Sequence, residues 1–231
     1  MCKLDTISYR RSKEFIMAAT KANSVINPPN LITSARFVLS LIIFALLPMG
    51  EYFTSLILFV VAAGTDWVDG YLARKNNQVT QLGRILDPFC DKIIICGMFI
   101  LIAVEMAELQ ALEQIETGSY YIIHGWMAVI VVGREILVTA LRGFIEQHGG
   151  DFSANMPGKL KMVFQCGAVV GTLIIIDSAT KGGEISFTLE FATAVFVWLA
   201  ILSTIYSGAI YVKGSIDLIP QLTKESVSND D

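Results

Sequence analysis

Charge is scarce in this chain. Only 16% of its 231 residues are Asp, Glu, Lys or Arg, where soluble domains carry about a quarter. Histidine is rarer still: His124 and His148 stand alone and far apart, so neither suggests a metal site. The four cysteines, Cys2, Cys90, Cys96 and Cys166, are scattered and form no C-x-x-C pair. They read as packing residues and exclude a disulfide scaffold or a thiolate metal cluster. A basic excess is missing too. The net charge of −4 and pI near 5.2 argue against a nucleic-acid-binding face. The first 25 residues hold no apolar stretch long enough for the core of a signal peptide. There is no internal repeat and no low-complexity segment. What remains abundant is apolar surface: 54% of residues are hydrophobic, and the mean hydropathy is +0.59. That excess exceeds what a soluble core of this length needs, and it points to a single-domain integral membrane protein.

A spanning helix takes about 20 mostly apolar residues. Six segments qualify, at 31–49, 52–73, 83–104, 119–145, 158–178 and 187–212, so the expected fold is all-α with six transmembrane helices. Ahead of them, Lys13 and Lys21 flank the patch Phe15-Ile16-Met17-Ala18-Ala19, which predicts an amphipathic surface helix over 12–25. Pro28 and Pro29 break it, and Asn30 is placed to cap the next helix. Residues 1–30 thus form a cytoplasmic N-terminus, 31–213 the membrane domain, and 214–231 a polar, frayed cytoplasmic tail. The basic residues set the orientation. With both termini inside, sixteen of the seventeen Lys and Arg fall on inner segments or inner helix ends, and Lys181 alone falls outside. The third–fourth connection carries Glu105, Glu108, Glu113 and Glu116 and no base. Tyr120 and Tyr121 fit an outer aromatic belt. Trp67 reads as an interface residue, and Trp126 and Trp198 as packing residues.

Charges inside a span are costly and mark functional sites by default. Four aspartates break the apolar pattern around the second–third connection. Asp66, Asp69, Gly70 and Ala73 fall at i, i+3, i+4 and i+7, on one face of a helix. Gly83, Asp87 and Asp91 fall at i, i+4 and i+8, again on one face. A short connection lets the two helices lie antiparallel with these faces together. Four adjacent carboxylates repel unless cations neutralise them, and hard oxygen ligands suit Mg²⁺ or Mn²⁺. Two such ions can clamp a diphosphate. The three small residues leave room for a nucleotide. Taken singly, each Asp could equally be a solvated or capping carboxylate; four in phase beside three small residues favour the metal site.

The string D-x-x-D-G-x-x-A-R, eight residues, then G-x-x-x-D-x-x-x-D resembles the signature of the CDP-alcohol phosphotransferases. All eight positions are filled, by Asp66, Asp69, Gly70, Ala73, Arg74, Gly83, Asp87 and Asp91. The resemblance implies a six-helix membrane fold behind a surface helix, usually dimeric, that displaces CMP from a CDP-linked substrate with an alcohol. It implies metal ligation by Asp66, Asp69 and Asp87, with Asp91 sharing a metal and acting as general base. Arg74 would steady the diphosphate, and Gly70, Ala73 and Gly83 would admit the cytidine. Thr33 matches a position near the nucleotide, although a Thr bonded to its own helix backbone would look the same.

The run Gly133-Arg134-Glu135 to Arg142 sets two arginines eight residues apart on one helix face, with Arg134 too deep to reach the interface easily. Asn155 to Gln165 adds Lys159 and Lys161 around a helix start near Pro157. Two arginines and one or two lysines read as a phosphate or acidic-lipid pocket, the alternative for the lysines being ordinary flanking charge. Arg36 reads as an anchor or a further contributor, and Glu135 as a structural partner of one of these bases. These segments resemble the branch of the family that uses CDP-diacylglycerol as donor and glycerol 3-phosphate as acceptor; Met162, where a small polar residue is expected, departs from it. The acceptor phosphate would then meet Arg134, Arg142, Lys159 and Lys161. Other acceptors remain open: inositol or its phosphate, serine, phosphatidylglycerol. So does a cation transporter with an intramembrane carboxylate site, although the nearby bases would repel cations. An intramembrane prenyltransferase would need its Asp motifs on distant helices. The lack of a transit peptide favours a bacterial inner membrane, with the site facing the cytoplasm.

Overall fold

Two prolines open the first helix. In the computed structural model α1 runs over Pro28–Leu46, so Asn30 lies inside its first turn and is not its cap. The physical reason is that proline's fixed φ and missing N–H suit a first turn, where no intrahelical partner is lost. The structure describes the backbone of residues 28–76, 81–113, 115, 121–147 and 157–228, and the side chains of 33–65, 89, 90, 92–113, 115, 121–147 and 160–216. The surface helix expected at 12–25 lies outside the described residues.

After a 3₁₀ turn at Leu47–Met49 come α2 (Tyr52–Asn76), α3 (Gln81–Ala111), α4 (Gly125–Gln147), α5 (Pro157–Thr180) and α6 (Phe187–Ser228). The described residues contain helices and no strand. Gly50 and Gly182 close their turns at φ 81° and 67°, left-handed angles that glycine takes without penalty. Helix α6 continues to Ser228, where a frayed tail is expected from residue 214 on. The helix runs on through Pro220, whose missing N–H removes one backbone bond, because Leu218, Gln221, Leu222, Lys224 and Glu225 around it are good helix formers and no glycine follows Gly214.

Three described stretches are long and apolar enough to cross a membrane: Lys92–Ala111, Leu160–Thr180 and Phe187–Ile216. Thr33–Met49 and Tyr52–Thr65 are shorter apolar helices. Helix α4 has the length but not the apolarity, because Arg134, Glu135 and Arg142 interrupt it.

The described chain forms two compact units, each with its own packing. One holds the residues up to Ile42 and those between Leu58 and Ile94. There the Phe37 and Phe89 rings lie 6.2 Å apart, and the Cys90 thiol faces the Thr33 carbonyl at 3.7 Å. The other holds Ile43–Ile57 and the chain from Ile95 onward. In it α6 packs on both α5 and α4. Helices α4 and α6 run parallel, since Trp126 meets Trp198, Arg134 meets Ser207 and Arg142 meets Tyr211. Helix α5 is antiparallel to α6: Gln165 bonds Thr204, and Gly171 lies against Thr193. The start of α2 meets the far part of α3, where the Tyr52 hydroxyl donates to Glu105 at 2.9 Å.

Trp126 and Trp198 pack on each other, as packing residues should, while both remain partly exposed. Tyr121 is buried and so does not belong to an outer aromatic belt; a ring at a helix-entry turn gains more from covering the core than from facing the interface. Among the described residues, Cys90, Cys96 and Cys166 form no disulfide.

Candidate active site

The eight signature residues lie on two helices. Asp66, Asp69, Gly70, Ala73 and Arg74 belong to the unbroken last turns of α2, and Gly83, Asp87 and Asp91 to the first turns of α3. Both stretches fall within the first compact unit. The backbone is helical throughout both, so the i, i+3, i+4 and i, i+4, i+8 spacings are realised as helix faces. The side chains of all eight lie outside the described ones. Elsewhere among the described residues, no three His, Cys, Asp or Glu side chains cluster closely enough to hold a metal ion. Thr33 is buried on α1 in the same unit. One turn along, Arg36 is also buried, and its carbonyl accepts from the Ser40 hydroxyl at 2.8 Å.

Three of the four bases singled out in the sequence, Arg134, Arg142 and Lys161, lie in the second unit on α4 and α5, beside α6. Arg134 is drawn inward from the middle of α4, with its side chain only 10% exposed. Its Nε donates to Ser207 Oγ at 3.1 Å, and its Nη1 to Glu135 Oε1 at 3.1 Å. The same carboxylate oxygen accepts from the Lys161 ammonium, which is itself buried. Glu135 therefore pairs with two bases, where the sequence suggested one. Arg142, two turns further along α4, donates from Nη2 to the Tyr211 hydroxyl at 3.1 Å. Its Nε is buried and has no hydrogen-bond partner among the described residues. A buried guanidinium N–H is a costly group to leave unpaired, and an anionic oxygen is its natural complement. The side chain of Lys159, in the first turn of α5, lies outside the described ones.

Tyr211 was not apparent as a site residue. Its ring lies 5.5 Å from the Arg134 Cζ and 5.9 Å from the Arg142 Cζ, within reach of a cation–π attraction to both. The signal was present in the sequence. Thr204, Ser207, Gly208, Tyr211 and Ser215 recur at i, i+3, i+4, i+7 and i+11 within a largely apolar segment, a polar and small stripe on one helix face. All five are buried. The stripe faces α4 and α5, through Arg134, Arg142 and Gln165.

Comparison with known proteins bears on both groups of residues. Three bacterial proteins named CDP-diacylglycerol–glycerol-3-phosphate 3-phosphatidyltransferase are similar over most of their length. The Bacillus subtilis protein is 33% identical over 203 residues, covering 80% of this chain and 93% of the relative. The Rickettsia bellii protein is 30% identical over 191 residues, covering 81% and 94%. A Yersinia pestis protein is 30% identical over 165 residues, covering 69% and 76%. A family model described as CDP-alcohol phosphatidyltransferase matches residues 26–206, a span that takes in the aspartate helices and the arginine-bearing α4 together. With the signature complete and the match running through five helices into the sixth, this chain belongs to the CDP-alcohol phosphatidyltransferase family.

Proposed function

We propose that this enzyme transfers the phosphatidyl group from CDP-diacylglycerol to glycerol 3-phosphate, giving phosphatidylglycerol phosphate and CMP. The observation that carries the acceptor assignment is the half-buried Arg134–Arg142 pair on α4, whose Arg142 Nε is buried and has no hydrogen-bond partner among the described residues. An acceptor that brings its own phosphate uses such a pair; serine or free inositol would leave it unanswered. The names of the relatives agree with this acceptor.

In this reading Asp66, Asp69, Asp87 and Asp91 hold Mg²⁺ or Mn²⁺, two ions per site. Four hard carboxylates on two unbroken helical stretches are the donor set such ions take. When bound, the metal supplies positive charge to the diphosphate. Thr33, Gly70, Ala73 and Gly83 line the nucleotide's place, and Arg74 steadies the diphosphate with its forked donors. Asp91 takes the proton from the acceptor hydroxyl. The hydroxyl oxygen forms its new bond to the β-phosphorus as the bond from that phosphorus to the bridging oxygen breaks, and CMP leaves with that oxygen. Arg134 and Arg142, helped by Lys159 and Lys161, receive the acceptor phosphate.

The same reading places the chain in a bacterial inner membrane as a homodimer. Its six helices span, and both termini and the site face the cytoplasm. Residues 1–30 form the surface-helix segment, 31–213 the membrane domain, and 214–231 the tail.

The test offers the purified protein CDP-diacylglycerol, Mn²⁺ or Mg²⁺, and a panel of radiolabelled alcohols. Label from glycerol 3-phosphate is expected in the lipid fraction, and chelation is expected to stop its entry until metal is returned. Incorporation of inositol or serine in its place would overturn the acceptor assignment. Asp91→Asn is expected to lose turnover while still binding CDP-diacylglycerol.

A further inference from the structure

Two arginines eight residues apart on one helix are separated by about 12 Å along its axis. Long, flexible side chains do not converge on one small anion unless something fixes them. The α6 stripe supplies the fixing groups. Ser207 takes the Nε of Arg134. Gly208 leaves room for its stem, since a Cβ there would stand 3.3 Å from the Arg134 Cγ. Tyr211 acts on both arginines at once: its hydroxyl accepts from Arg142 Nη2, and its ring lies beside both guanidinium carbons. The ring is 5% exposed, so it is held by packing and can serve as a rigid template. These contacts leave Arg142 Nε unclaimed among the described residues.

We propose that Tyr211 is a positioning residue for the acceptor phosphate. It holds Arg134 and Arg142 as a preset pair through its hydroxyl and its ring, so that the acceptor meets them already oriented. This rests on the acceptor-phosphate reading of the arginine pair. It predicts a specific kinetic signature, because binding energy to the acceptor is lost while the aspartate helices and the donor are untouched.

The experiment compares Tyr211→Phe, Tyr211→Leu and Arg134→Ala with the parent enzyme, as full chains in detergent. Tyr211→Phe keeps the ring and loses the hydroxyl; the KM for glycerol 3-phosphate is expected to rise about tenfold, the lower end of what a hydrogen bond to a charged group contributes. Tyr211→Leu loses the ring as well and is expected to raise it further, by a total on the order of a hundredfold. The KM for CDP-diacylglycerol should stay within about twofold of the parent's in both. If Tyr211→Leu does not fold, Tyr211→Phe decides alone. Should Arg134→Ala raise the acceptor KM while Tyr211→Phe leaves it unchanged, the positioning role is overturned and the pocket stands. Should Arg134→Ala also leave it unchanged, the pocket reading falls and takes this proposal with it. A parallel rise in both KM values with a fall in kcat for Tyr211→Phe would make Tyr211 a packing residue only.

Discussion

Glu135 carries the heaviest electrostatic load among the described side chains. One of its oxygens accepts from Arg134 Nη1 and from the Lys161 ammonium, and the three side chains are 10%, 10% and 7% exposed. Removing one partner of such a set leaves a buried charge uncompensated, which costs about 3–5 kcal/mol. Glu135→Ala is therefore expected to destabilise the protein by about 3 kcal/mol, and adding Lys161→Met should return about half of that loss. Thermal unfolding of the single and double variants in one detergent checks both expectations. A double variant no more stable than Glu135→Ala would mean that the bridge to Lys161 is not what Glu135 supports. The sequence made a partner for Glu135 legible because Arg134 adjoins it. The second partner was not legible, because Lys161 arrives from the start of another helix and only packing brings it there.

At the scale of elements, α5 and α6 come together through two glycines one turn apart. Gly167 lies against the ring of Phe196, and Gly171 against Thr193. Small residues at this spacing let membrane helices approach closely. The two positions differ in what can yield. A Cβ at Gly167 would press on the near edge of the Phe196 ring, Cδ1 at 2.5 Å and Cγ at 2.9 Å, which can turn away by side-chain rotation. A Cβ at Gly171 would meet not only the Thr193 hydroxyl but also its Cβ at 3.1 Å, an atom that moves only with the backbone. Gly171→Ala is thus expected to destabilise by about 1–3 kcal/mol, and Gly167→Ala by less; unfolding midpoints of the two variants, measured side by side, test the order. The reverse order would mean that the Thr193 backbone gives way more easily than the Phe196 ring. The apolar runs were legible as helices because helical hydrophobicity is a local signal. The stripe at Thr204, Ser207, Gly208 and Tyr211 was missed for the opposite reason. A hydroxyl or a tyrosine scattered through an apolar span is unremarkable until its partners on α4 are known.

At the scale of the whole molecule, charge is sorted along the chain. Arg74, Lys75 and Arg84 flank the α2–α3 connection, while Glu105, Glu108 and Glu113 gather toward the far end of α3. Lys181 is the one base that the sequence assigned to the outside. It is held by Asp177, with Nζ at 2.7 Å from Oδ1, and lies over the Phe53 ring at 5.6 Å. Its charge is therefore compensated locally, and it does not weaken the bias that orients helices in a membrane. The proposed topology sets the aspartates and the arginine pair at the cytoplasmic side, so both the CDP headgroup and glycerol 3-phosphate must be supplied from there. Neither crosses a bilayer unaided, since moving such charge through hydrocarbon is prohibitive. In sealed vesicles carrying CDP-diacylglycerol in both leaflets, inside-out preparations given external glycerol 3-phosphate should show nearly all their activity without detergent. Right-side-out preparations should show it only after permeabilisation. The opposite latency would invert the topology, and equal activity in the two intact preparations would place the acceptor's entry on neither side alone.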